Sequence, residues 1–596
     1  MATRPTFVEL PTEILEAIFL HLDPRSLLAV SQTCKLIKKL TTDAPIVWRH
    51  FCRTEFQTWD PHHGIATKFS GPLSDVDWRA LFIQRVNMQK DALRLLDLIL
   101  GSQQGRIKYI NQVADFGYDV KETLLVECAC PDDAEDVLAR RYYATAILER
   151  IQREMAINVW KAVSCGEDVP LERALGAYDI FARTGSNVDL DIFSSDLDVM
   201  ARKVLDAYPE FLSWDTRTKA SQLASFFRDE GFRGVPDDSY RALRNSFIGM
   251  VLQSPEHESL PLISVAIYCA LARRLGLDVR PCGFIYHVYC LVYAPKDYSL
   301  DGKYKPTNSG ELESMYLDPF RSSTEVGRGD LQRTLREMNV PSFKHDDFLT
   351  HTHTQEMAFR TARNIINSVQ TIREAEVGLF GMQNNRRATV PDMDSAFYAS
   401  IWAMMILGNL DDSEDLSSAG LASVSTRRRQ YLPYLLEHFQ THYPWDVTLL
   451  EEHVIPLFWN HPEGPRLVDF VRSMHNVDGI RKEPRNRDSK TEKVTFKVGQ
   501  LFKHKRYHYE GIVTGWDLAC DAGEEWIQHM GVDRLSGGRN QAFYHVLYVA
   551  EENIAPTSPN AEPSDAILRL AGRHFRRWDA ESHVFVSNIR DEYPED

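Results

Sequence analysis

The stretch GFIYHVYCLVYAP, Gly283 to Pro295, is apolar and aromatic over most of its length and reads as a buried strand. YLDPF, Tyr316 to Phe320, reads as the end of a second strand. These strands sit inside a chain that otherwise reads as helix. Just ahead of them, Pro261–Leu275 is a continuous apolar run closed by Gly276, the pattern of a buried helix with a glycine stop. Residues 91–250 and 331–480 carry helical periodicity, as in DALRLLDLIL, AFRTARNIINSVQ and SAFYASIWAMMILGN. The expected class is therefore multidomain α+β. His287 on one strand and Asp318 at the end of the other form two thirds of a hydrolase triad, which poses the question of a nucleophile.

The bulk numbers bound the answer. The chain has 596 residues, room for three or more domains, with 43% hydrophobic and 26% charged residues. Its net charge of −16 argues against nucleic acid or an anionic membrane as the general partner. The nine cysteines show no disulfide spacing, which suits a cytoplasmic or nuclear protein. MATRPTFVEL lacks the apolar core of a signal peptide. The longest apolar runs, Leu260–Ala272 and Ala396–Leu407, are too short to span a bilayer, so no membrane partner is expected. There is no GxxxxGK[ST] or GxGxxG loop, and no cofactor is expected. His345, Asp346, Asp347, His351 and His353 crowd a polar stretch read as a solvated loop, and Cys128 and Cys130 form a single C-x-C without a second pair. Neither makes a metal site.

PLERALGAYDIFA, FFRDEGFRG, RNSFIGMVLQ, LPLISVAIYCALARRLGL, the His287 strand and YLDPF together resemble the SirB1 group of transglutaminase-like proteins, over residues 169–375. In the active form of that fold a cysteine opens the buried helix, where the helix N-terminus favours thiolate, and histidine and aspartate follow. The resemblance places His287 and Asp318 in the last two positions. The first falls near Pro261–Ser264, where there is no cysteine. Cys269 lies about two turns into the helix, and Cys290 is an odd offset from His287 along the strand, with Cys282 sharing that parity problem. Ser264 alone offers a nucleophilic atom near the right end. The expectation is a pseudo-enzyme scaffold without catalytic residues, with a transglutaminase-like hydrolase as the lesser alternative.

Toward the N-terminus, LPTEILEAIFLHLDPRSLLAV puts Ile14, Leu15, Ile18, Phe19 and Leu22 on one helical stripe. Asp23 is placed to cap a second helix that Pro24 opens. With LLAVSQTCK and VWRHFCRTEF the region strongly resembles the F-box, a helical motif that docks on the Skp1-type adaptor of cullin–RING ubiquitin ligases. The resemblance makes residues 1–60 that motif. It implies Leu10, Pro11, Ile14, Leu15, Ile18, Phe19, Leu22, Leu27, Leu28, Val30, Cys34 and Trp48 as adaptor-facing or motif-core residues, Cys34 as a small buried hydrophobe. Residues 61–168 then read as a helical connection and 376–480 as a helical extension.

On the other side, RKEPRNRDSKTEK, residues 481–493, has no large apolar residue and reads as a solvated linker. FKVGQLFKHKRYHYEGIVTGWD, EEWIQ, QAFYHVLYVAEENIAP and HFRRW then resemble the YccV/HspQ-like family, often labelled hemimethylated-DNA-binding, over residues 494–590. The resemblance implies a small β-barrel. Phe496, Val498, Phe502, Ile512, Val513, Val546 and Leu547 are the expected core, and Gly499, Gly511 and Gly515 the bends. Lys503, Lys505 and Arg506 with Tyr507, Tyr509 and Trp516 are candidates for nucleic-acid or peptide binding. Yet residues 494–596 hold 11 Lys or Arg against 16 Asp or Glu, net −5, which disfavours DNA. The tail DEYPED is expected to fray.

The order of the three resemblances matches that of F-box-only proteins with this same tail. It implies a substrate receptor of a Skp1–cullin–F-box ubiquitin ligase, bound to the adaptor through the F-box and to an unnamed target through the rest. A DNA- or chromatin-binding protein is the alternative.

Overall fold

The structure, a computed structural model, describes residues 7, 10–183, 188–305, 312–378, 391–408, 424–487, 491, 493–504, 509–549 and 562–596. The chain forms two compact units. One joins Met1–Ile151 to Pro465–Asp596, and the other is Gln152–Gly464. The architecture is multidomain α+β: helices dominate and the strands form small sheets.

The first unit opens with four short helices: α1 (Thr12–Phe19), α2 (Pro24–Ser31), α3 (Lys35–Thr42) and α4 (Pro45–Thr54). Asp23 caps α2 as its sequence requires, accepting from the Arg25 and Ser26 amides at 2.9 and 3.0 Å. Such short helices cannot bury their apolar stripes alone. They share a core with α5 (Trp78–Gly101), in which Leu15, Phe19, Leu27, Ile37, Val47 and Phe51 meet Trp78 and Phe82. Next come α6 (Arg106–Ala114) and the long α7 (Val137–Ser164).

In the second unit, α8 (Leu171–Ala182) is buried at every residue but Arg173. Short strands β1 (Arg233–Gly234) and β2 (Glu258–Ser259) pair in parallel ahead of α9 (Pro261–Arg274), and Gly276 ends that helix region with φ +77°. A four-stranded antiparallel sheet follows in the order β3 (Asp278–Cys282), β4 (Tyr289–Tyr293), β5 (Ser314–Leu317) and β6 (Glu325–Val326). Helices α10 (Thr354–Gly378) and α11 (Met393–Ile406) complete the frame. Gly283–Pro295 is thus not one strand. Residues 283–288 form a turn between β3 and β4, and His287 lies on that turn. The polar stretch at 345–353 is not a solvated loop either. His345–Leu349 is a short helix with His345 buried, and His351 bridges to Cys282.

The chain returns to the first unit through α12 (Glu463–Gly479), whose Asp478 carboxylate accepts from the Ile107 and Lys108 amides at the start of α6. Strands β7 (Leu501–Lys503), β8 (Glu510–Asp517) and β9 (Phe543–Val549) form one antiparallel sheet. After α13 (Asp565–Ala571), β10 (Phe575–Asp579) and β11 (Val584–Ser587) form a hairpin, tied to the sheet by the Gln500–Val584 bridge. One core serves both: Val498, Ile512, Trp516, Ile567, Phe575, Phe585 and Tyr593. Phe496 and Val546, expected inside, are exposed. Gly499 is a true bend with φ +90°, whereas Gly511 and Gly515 lie within β8 under the Phe502 and Tyr593 side chains.

One expectation about the chain end is overturned and one about the linker is qualified: residues 481–487 form no regular element and none of them is buried, as expected, but two arginines there are tied down. Arg485 and Arg487 of the supposed solvated linker are pinned. The Arg485 amide donates to the Glu592 carbonyl at 2.7 Å, and Arg487 pairs with Asp596 and donates to the Val494 and Phe496 carbonyls. The tail does not fray. Tyr593 is buried in the core, and the Asp596 carboxylate accepts from Trp516 Nε1 at 2.8 Å. Composition alone missed both, because each polar residue has a specific partner about 80–110 positions away. Among the described residues no helix is long and apolar enough to cross a membrane.

Candidate functional site: an apolar helical face and a histidine–aspartate pair

Helix α1 carries two apolar stripes, each at the i, i+4 spacing of one face. Leu15 and Phe19 point inward and are fully buried. Ile14 and Ile18 lie on the neighbouring face, with Ile14 49% exposed. Leu28 of α2 is 61% exposed, and Leu36 and Ile46, absent from the sequence-based candidates, are also exposed. Pro11 is exposed as well. The structure therefore sorts the candidates. Leu15, Phe19 and Leu27 are core, Pro11, Ile14 and Leu28 are surface, and Leu10, Ile18, Leu22, Val30, Cys34 and Trp48 are half-buried. Cys34 is a helix cap rather than a buried hydrophobe, its Sγ accepting from the Ile37 amide at 3.5 Å. Trp48 Nε1 donates to the Thr41 carbonyl at 2.8 Å.

In the second unit, His287 Nε2 and Asp318 Oδ2 are 3.0 Å apart. Asp318 follows β5 directly and is buried. Its Oδ1 has no hydrogen-bond partner among the described residues. The turn bearing His287 is held by Arg360 of α10, a residue the sequence reading did not single out. Its guanidinium donates to the Gly283, Phe284 and His287 carbonyls at 2.8–3.3 Å. The neighbouring Tyr286 has φ +58° and is almost fully exposed.

A base and its orienting carboxylate are present, yet no described nucleophile is hydrogen-bonded to them. Ser264, in the first turn of α9, is buried with its Oγ 2.6 Å from Ser259 Oγ. Burial pushes the Cys290 thiol well above its usual range and Cys282 up to about 12, so neither supplies thiolate near neutral pH. Cys282 also donates to the Phe348 carbonyl at 3.3 Å. Cys269 is buried inside α9. His345 and His351 bond separately to the Val340 carbonyl and the Tyr293 hydroxyl and do not converge on a metal position.

In the C-terminal region Lys503 lies on β7, and Lys505, Arg506 and Tyr507 fall outside the described residues. Tyr509 stacks on His504 at 4.8 Å and meets Tyr548 at 5.0 Å, an aromatic strip on the sheet. Trp516 is no binding residue, since it is buried in the core.

Three protein-family models match the chain: F-box-like over residues 7–54, transglutaminase-like superfamily over 192–363, and hemimethylated DNA-binding protein YccV like over 494–582. F-box only protein 21 of Pongo abelii is 22% identical over 643 residues, covering 99% of this chain and 92% of that one. The Homo sapiens protein of the same name is 22% identical over 650 residues with the same coverage. F-box/WD repeat-containing protein pof10 of Schizosaccharomyces pombe is 41% identical over 85 residues, 14% of this chain and 12% of its own. No solved structure matches. The chain thus carries an F-box-like start, a transglutaminase-like middle and a YccV-like end in that order, and is homologous along its whole length to F-box only protein 21.

Proposed function

We propose that this chain is the substrate receptor of a Skp1–cullin–F-box ubiquitin ligase. The observation that carries the reading is the pair of exposed apolar side chains, one on α1 and one on α2. Ile14 and Leu28 stand in solvent beside a core already filled by Leu15, Phe19 and Leu27. Helices this short gain nothing from such exposure, whereas an adaptor groove would bury it. The transglutaminase-like and YccV-like regions then act as frame and target-binding surface. Transfer of ubiquitin is by proximity, supplied by partner proteins and not by residues of this chain. Free cysteines throughout suit work in the cytoplasm or nucleus. The test is co-assembly of the full chain with a Skp1-type adaptor and a cullin. A ternary complex on size-exclusion chromatography is expected, and its absence removes the reading.

A second reading, duplex-DNA binding, is favoured by the His504–Tyr509–Tyr548 strip beside Lys503 and by the description of the matching C-terminal family. It predicts salt-dependent binding that weakens on Lys503→Ala. Salt-independent or absent binding ends it.

A further inference from the structure

Beyond the docking face, the first unit holds a cluster that the proposed function does not use. The run Asp60-Pro61-His62-His63 folds as a single 3-10 turn. The Asp60 side chain accepts from the His62 amide at 3.2 Å and contacts His62 Nδ1 at 2.7 Å. His63 Nε2 reaches Asp119 Oδ2 at 2.6 Å. The two imidazoles lie close, with centroids 3.9 Å apart and ring planes tilted by 39°. Ligand atoms of His62, His63 and Asp119 all lie within 4.8 Å of one another. His63 and Asp119 are buried, while the His62 side chain is 60% exposed, so the cluster has a protein floor and an open side.

The surroundings are built for this arrangement. Gly117 has φ +56°, and a Cβ there would stand 2.0 Å from Asp60 Oδ2, so a glycine is needed to seat that carboxylate. Asp60 Oδ2 accepts in turn from the Tyr118 amide, and Asp119 Oδ1 from the Asp60 amide. Arg85 pairs with Asp119 Oδ1 at 3.1 Å, leaving Oδ2 to the histidine. Asp60, Asp119 and Glu122 are the carboxylates acting on that guanidinium.

We propose that His62, His63 and Asp119 form a binding site for a divalent transition ion of the zinc class, with Asp60 as the positioning residue on His62 and water in the exposed position. Two imidazoles and one carboxylate select zinc-like ions over magnesium or calcium, which prefer all-oxygen sites. Entry requires the His63–Asp119 contact to open from 2.6 Å to roughly 3.3 Å, the spacing of two ligands each about 2.0–2.1 Å from a tetrahedral ion. The ion would clamp the segment after α4 to the turn at Gly117–Val120.

The test uses the full chain stripped with a chelator and titrated with Zn²⁺ by calorimetry, then with Co²⁺ by visible absorption. The expected result is one equivalent bound at micromolar affinity or tighter. The Co²⁺ spectrum should show d–d bands without a thiolate charge-transfer band, which separates this site from the free cysteines. His62→Ala changes an exposed side chain and should leave the fold intact while weakening Zn²⁺ at least about 100-fold. Asp60→Asn should weaken it by about 10–100-fold. No binding, a thiolate-type spectrum, or affinity unchanged in folded His62→Ala would each overturn the proposal.

Discussion

Ile14 and Leu15 are adjacent in sequence and opposite in consequence. Leu15 is fully buried, so Leu15→Ala should cost about 2–5 kcal/mol of stability in denaturant unfolding. Ile14→Ala should stay within about 0.5 kcal/mol of wild type yet weaken adaptor binding. The sequence showed both residues on one helical stripe but could not divide them, because the dividing line is set by α3 and α4, which pack against α1 from more than twenty residues downstream of Ile14. Arg153 and Asp446 form a two-point ion pair at 2.8 and 2.9 Å with both side chains buried. Asp446→Ala strands the guanidinium and should cost about 3–5 kcal/mol, read by urea unfolding. No local pattern foretells that pair, just as none links Asp119 to the His62–His63 run 56 positions away.

At the scale of elements, the C-terminal sheet, its hairpin and the last six residues share one core. Tyr593 fills it and Asp596 satisfies Trp516. Tyr593→Ala should therefore cost about 3–5 kcal/mol, and a chain truncated after Arg590 should melt at lower temperature. Between α13 and β10, burial and the Arg573 and Arg106 guanidinium groups lower His574 to about 3 from 6.5. The neutral ring's contribution is complete above pH 6.5 and is lost as pH falls toward 3. Thermal melts should show this loss at up to ~1.4 kcal/mol per pH unit, and His574→Gln should flatten it. Element types were largely legible. The apolar run of α9, its Gly276 stop, and the Asp23 cap with Pro24 are local signals, and local signals suffice for elements. The turn at 283–288 was not, since aromatic residues fill strand and turn alike there and Arg360, from another helix, fixes the bend.

For the whole molecule, three modules in a fixed order carry the functional reading more firmly than any one of them. The nearest thing to an active site, His287 with Asp318, has a base and an orienting carboxylate but no nucleophile hydrogen-bonded to either among the described residues. On the proposed reading, the exposed apolar side chains of α1 and α2 let the chain act through partners instead. The direct measurement is titration of a Skp1-type adaptor with the full chain and with an Ile14→Asp, Leu28→Asp variant, folding being verified by circular dichroism. These positions are exposed, so the variant should fold, unlike one altered at Leu15. The account predicts tight binding by the native chain and a loss of at least about 100-fold in the variant, from lost apolar burial and two charges placed in an apolar groove. Failure of the native chain to bind, or equal binding by the folded variant, would contradict it.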